Sequence, residues 1–102
     1  MKLMTKDLQA RFSKVGRQGK DPLVIAHYFN PMGRGDWYAT EYDPKDGIFF
    51  GYVSIFGDFC DEWGDFSLSE LESVKVGWGL SNERDLHFDE APISQVVPKA
   101  IV

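Results

Sequence analysis

Apolar and polar positions alternate in two distinct periods along this chain. Leu8, Phe12 and Val15 recur at helical spacing, which predicts an amphipathic helix starting at a Thr5 cap. Gly16 is its natural stop, with Lys14 and Arg17 near the negative end of the helix dipole. After the polar connector "RQGKDP" the pattern changes. "LVIAHYFN" (23–30) and "DWYATEYD" (36–43) are rich in β-branched and aromatic residues and read as strands. The turns "PMGRG" and "PKDG" bracket the second of them. "IFFGYVSIF" (48–56) is apolar at both parities, the mark of a strand covered on both faces for part of its length. Gly51 inside it points to a bulge or a close backbone approach. Short turns between consecutive strands make an antiparallel meander the simplest topology.

The stretch "FGDFCDEWGDFSLSELESV" (56–74) holds six carboxylates, Cys60 and no basic residue. Ser67 followed by Glu70 is a capping box, and Phe66 with Leu71 is a candidate hydrophobic staple. Glu70 and Glu72 then lie near the positive end of a helix dipole. The helix is predicted near 67–76, with Gly77 and Gly79 ending its region. Asp58, Asp61, Glu62 and Asp65 lack that structural explanation and read as exposed, in a loop or short strand before the helix. "ERDLHF" (83–88) alternates and reads as a last strand, with Asp85, His87 and Asp89 on one face. The tail beyond Pro92 is weakly patterned, with room for one helical turn before Pro98. The predicted architecture is a single α+β domain: an antiparallel sheet of four to five strands, an N-terminal helix and a second helix near 67–76.

Charge changes this picture more than composition does. Residues 1–35 hold seven basic residues against two acidic, a net +5. Residues 36–73 hold ten acids against Lys45 alone, a net −9. Two arrangements fit this split. Either the basic third neutralises the acidic middle, or the acidic middle is free to face a basic partner. Cys60 is the only cysteine, so no internal disulfide forms, and a reducing cytoplasmic setting is the default expectation. The first twelve residues lack the apolar core of a signal peptide, and no apolar run reaches the roughly 20 residues of a membrane span.

The motifs TEYDP (40–44), SLSELE (67–72) and ERDLHF (83–88) together resemble the bacterial family known as domain of unknown function 2958, over roughly residues 2–94. The resemblance implies small accessory proteins of plasmids, phages and integrative elements, which act on host defence, plasmid maintenance or transfer. It brings no catalytic residues to carry over.

Each chemical reading competes with a simpler one. Asp58, Asp61, Glu62 and Asp65 lack the alternate spacing and glycine of a calcium loop and read as a solvated acidic segment. Asp85, His87 and Asp89 have the donor types of a metal clamp; the simpler reading is a charged edge strand. Cys60 with His27 or His87 as base is disfavoured, because Asp58, Asp61 and Glu62 raise a neighbouring thiol's pKa. Glu41 and Asp43 share strand parity with Trp37 and form a carboxylate pair; the ordinary outcome is that Glu41 faces His27 or a basic residue. No phosphate loop, dinucleotide fingerprint or zinc knuckle calls for a cofactor.

Three functions follow. The first is a non-enzymatic binder whose Trp37, Tyr42, Asp58, Asp61, Glu62, Trp63 and Asp65 meet a protein with a basic surface, such as a nucleic-acid-binding one. Aromatics would anchor it and carboxylates steer it. The second is a small metal- or carboxylate-dependent hydrolase using Glu41, Asp43, Asp85 and His87. The third is direct nucleic-acid binding through the basic N-terminal third, which the net charge of −5 disfavours. A pocket of converging carboxylates would favour the hydrolase, and a flat or convex acidic face the binder.

Overall fold

The computed structural model describes residues 2–31, 35–55, 61–73, 75–76 and 80–101. Asp58, Cys60, Gly77 and Gly79 lie outside the described residues. The elements run α1 (Lys6–Val15), β1 (Leu23–Val24), β2 (Ala26–Phe29), β3 (Asp36–Asp43), β4 (Ile48–Ser54), β5 (Glu62–Ser67), α2 (Leu68–Ser73), β6 (Lys75–Val76), β7 (Leu80–Ser81), β8 (Glu83–Arg84), β9 (Ala91–Pro92) and α3 (Ile93–Val96). A 3₁₀ turn, Pro98–Ala100, follows. The main sheet has five antiparallel strands in the order β5-β4-β3-β2-β8, an α+β architecture. Two short ladders, β1 with β9 and β6 with β7, complete the strand pairing.

Local signals account for most of this. Thr5 Oγ1 accepts the Leu8 N–H at 3.1 Å and starts α1. Gly16 ends it at φ +67°, a left-handed conformation that favours glycine. Phe12 is buried under α1, with Leu8 and Val15 packed beside it, so the predicted stripe is the buried one. β4 has neighbours on both sides and is covered on both faces. Phe49 belongs to a core beneath α1 with Phe12, Tyr28, Ala39, Phe66 and Leu71. Tyr52 belongs to a second core on the opposite face with Val24, Ile93 and Val97. The C-terminal segment therefore covers the second face, but only over part of its length.

The capping prediction holds in its central bond. Ser67 Oγ accepts the Glu70 N–H at 2.9 Å, and α2 begins at the next residue. Ser67→Ala should cost about 1 kcal/mol through loss of that bond. An unchanged urea midpoint would show that the helix does not depend on it.

Two expectations need correction. Glu62–Ser67 form an edge strand, one of the two forms expected before the helix, and run straight into α2; its described extent ends at Ser73 rather than at 76, with Lys75–Val76 in β6. "ERDLHF" is a strand only at Glu83 and Arg84. There Asp85 Oδ1 accepts the His87 N–H at 3.0 Å, and this side-chain bond turns the chain out of the sheet. Asp85, His87 and Asp89 therefore do not share a strand face.

Candidate functional site

The site follows from a bulge. Ala39 pairs with Gly51 while Glu41 pairs with Phe50, so Thr40 is an extra residue in β3. Gly51 permits this: a Cβ placed there would lie 1.9 Å from the Tyr38 carbonyl oxygen. The bulge is held from outside the sheet by Gln18. Its Nε2 donates to Thr40 O at 2.8 Å and to Leu23 O at 2.9 Å, and its backbone N–H donates to Glu41 Oε2 at 3.1 Å. Thr40 Oγ1 donates to Phe50 O at 3.1 Å.

An extra residue reverses the parity of everything after it. Trp37 and Tyr42 both join the core beneath α1, while Glu41 and Asp43 move to the opposite face. The expected shared parity of Trp37 with Glu41 and Asp43 is thus overturned. So is the pairing of Glu41 with His27, which sits opposite Tyr38.

Directly paired residues share a face of an antiparallel sheet, so the register defines rows across it. Tyr38, Tyr52 and Trp63 form one row, lying under the C-terminal segment. The next is Glu41, Phe50 and Asp65, and beyond it lie Asp43, Ile48 and Ser67. These outer rows are open. Phe50 is 38% exposed, stacked on Trp63 at 5.8 Å, and Asp43 and Asp65 are exposed. A cleft of about 570 Å³ borders them, with Arg17, Glu41, Asp43, Asp46 and Asp65 among its lining. A smaller one of about 250 Å³ lies between Phe50, Trp63, Glu41 and Ile101. The result is an apolar strip, Phe50 and Ile48, edged by carboxylates.

The residues expected to meet a partner are distributed differently. Trp37 and Tyr42 are half-buried against the α1 core. Burial first, then Glu72 and Asp43, pushes the Tyr42 phenol above its usual pKa, so it stays neutral. The Trp63 indole is half-buried, with Nε1 donating to Ala100 O at 3.2 Å. The Asp61 side chain is only 2% exposed; it accepts from Ser54 Oγ at 2.9 Å and pairs with Lys99, so it is not the exposed acid expected. Glu62 is exposed but sits opposite Val53, in a row of the α1 face. Among the described residues of this set, Asp65 alone lies in the open rows. Phe50, Ile48 and Asp46 were not singled out by sequence, because nothing in the pattern shows how far the C-terminal segment reaches across the sheet.

Arg17 of the basic third lines the same cleft as these carboxylates. Among the described residues, Arg11 pairs with Glu90 at 2.8 Å, and no Lys or Arg of residues 2–31 pairs with an acid of residues 36–73. The residues named for hydrolysis also separate. Glu41 and Asp43 line the open cleft, while Asp85 turns toward His27 and His87 is exposed. Among the described residues no group of three or more His, Cys, Asp and Glu could hold a metal ion, and no helix is long and apolar enough to cross a membrane.

The chain belongs to the family described as Protein of unknown function (DUF2958), which matches residues 2–101. No curated protein and no solved structure matches it.

Proposed function

We propose that the chain is a non-enzymatic binding protein whose open acidic rows receive a basic segment of another protein. The carrying observation is the pair of rows Glu41–Phe50–Asp65 and Asp43–Ile48–Ser67, in which Phe50, Asp43 and Asp65 are exposed. An exposed aromatic supplies contact area and a face for a cation, and the surrounding carboxylates raise the encounter rate with positive charge. In the mobile-DNA setting that the sequence resemblance implies, and the reducing cytoplasm that a single cysteine makes the default, the fitting partner is a nucleic-acid-binding protein of the host or element. Occupying its basic site would make this chain an inhibitor or anti-defence factor.

The test begins with capture of partners from a host lysate. Surface plasmon resonance then compares wild type, Glu41→Gln/Asp43→Asn/Asp65→Asn and Phe50→Ala across a salt series. The charge variant should associate about tenfold more slowly at low salt, with a flatter salt slope. Phe50→Ala should chiefly speed dissociation. Equal rates and slopes for all three would overturn the proposal.

One observation favours the hydrolase reading: the carboxylates line a concave cleft rather than a flat face. That cleft contains no histidine among its described lining. Hydrolysis of phosphoester or peptide substrates, with and without divalent cations, that is lost in Glu41→Gln would select this reading.

A further inference from the structure

His27 on β2 has a carboxylate at each ring nitrogen. Nε2 lies 2.7 Å from Asp36 Oδ1, and Nδ1 lies 3.2 Å from Asp85 Oδ2. A neutral imidazole carries one N–H and one lone pair, so it can donate to only one of them. The other contact would set a lone pair against an anionic oxygen. Both are attractive together only when the ring is the imidazolium. The ring is also held by its aromatic neighbours, stacked on Tyr38 at 4.7 Å and on Phe29 at 5.8 Å, with Phe88 tilted against it at 5.9 Å.

Asp85 does more than face the histidine. It sits midway in a strap, residues 82–90, that β8 ties to β2 at Glu83 and Arg84, with Arg84 Nε also donating to Lys2 O at 3.3 Å, and that is pinned at three further places. Asn82 is buried, donating to Leu71 O at 3.1 Å and accepting from Asn30 at 3.0 Å. Asp85 donates its backbone N–H to His27 O at 2.9 Å and places its carboxylate on the ring. Glu90 is held by two nitrogens of Arg11, at 2.8 to 3.1 Å. Between the last two pins, Leu86 is 60% exposed and a cavity of about 200 Å³ lies against Leu8, Ile25 and Phe88. Of these contacts, the one between the Asp85 carboxylate and the His27 ring alone involves a group that titrates near neutral pH.

We propose that His27 is a proton-dependent clasp: with its second proton it fastens the strap through Asp85, and on losing that proton it lets residues 85–88 open. The shorter contact keeps its N–H, so Asp36 stays bound and Nδ1 turns its lone pair on Asp85. The titratable groups facing the ring are Asp36 and Tyr38 from β3 and Asp85 from the strap, with His87 acting on Asp85 in turn. Burial first, then Asp36 and Asp61, pushes Tyr38 up to about 12, so it adds no charge.

The pH window follows from two opposed shifts. Burial pulls the His27 pKa down, but the bonds and charges of Asp36 and Asp85 outweigh it and leave it above 6.5. The clasp is therefore fully fastened below 6.5 and is lost as pH rises through the higher folded value. Burial raises Asp85, yet its bonds to His27 and to the His87 N–H win and hold it below 3.8. Its contribution is present above 3.8 and lost as pH falls through the lower folded value. The strap is tightest between those two limits.

The test is an NMR pH titration of the full chain, whose two histidines are assigned with His87→Gln. The His27 ring should titrate above 6.5, the ordinary value. Across the same midpoint, amide protection of residues 85–88, corrected for intrinsic exchange, should fall about tenfold or more while β3 and β4 stay unchanged. In Asp85→Asn the His27 midpoint should drop and the coupled loss of protection should vanish. A His27 midpoint at or below 6.5, or strap protection indifferent to it, would overturn the clasp; the wild-type titration decides this even if the variant fails to fold.

Discussion

Phe49→Ala is expected to cost about 3–5 kcal/mol, the range for truncating a fully buried phenylalanine. Its side chain is 0% exposed and sits where α1, β2, β3 and β5 converge. Its ring meets Tyr42 at 4.7 Å, Phe66 at 5.1 Å, Tyr28 at 5.3 Å and Phe12 at 5.8 Å. Ring pairs of this kind contribute beyond their area, and four large neighbours cannot all collapse into the space left behind. Chemical denaturation of both proteins, read as a midpoint change at constant slope, measures the loss. A cost below about 1 kcal/mol would mean that the core is not centred on this residue.

Gly51→Ala is the second large effect, and its sign is the informative part. Replacing a strand glycine by alanine ordinarily stabilises, by about 0.4–1 kcal/mol, because the unfolded chain loses freedom. At Gly51 the added Cβ would meet Tyr38 O at 1.9 Å, Tyr38 C at 2.9 Å and Ala39 Cα at 3.1 Å. These are backbone atoms of the neighbouring strand at the bulge, so relief requires the β3–β4 ladder to move. The cost should be about 2–3 kcal/mol, as for an overpacked core. Gly64, directly across β5, is the control: a Cβ there meets nothing within 4 Å. Gly64→Ala should be neutral or slightly stabilising in the same denaturation experiment. Equal effects at the two glycines would contradict the bulge geometry.

What the sequence made legible is what local chemistry decides. Thr5 and Gly16 delimit α1, the span 36–43 is β3, and Ser67 caps α2, because each depends on residues within one turn of it. The two-sided burial of β4 was visible in its lack of alternation. Thr40 was not visible as a bulge. Its extra place in β3 is set by Gly51 on the facing strand and by Gln18, 22 positions away, whose amide takes up the Thr40 carbonyl. That one residue decides which face receives Glu41 and Asp43, and so decides where the site lies. The 83–88 alternation predicted a strand that Asp85 ends by capturing the His87 N–H, a local bond that competes with the ladder. Likewise Asp61 has the composition of a solvated acid but is buried, its carboxylate accepting from Ser54 and from Lys99, 38 positions on.

The claim that the open acidic rows are the working surface is tested most directly by NMR shift mapping. Isotope-labelled chain is titrated with the basic partner captured from lysate, at two salt concentrations. The largest changes should fall at Glu41, Asp43, Ile48, Phe50 and Asp65, and should weaken as salt rises, since exposed charges are screened over about 8 Å at physiological ionic strength. Changes confined instead to α1 or to the 82–90 strap, with residues 41–50 and 65 unmoved, would contradict the account.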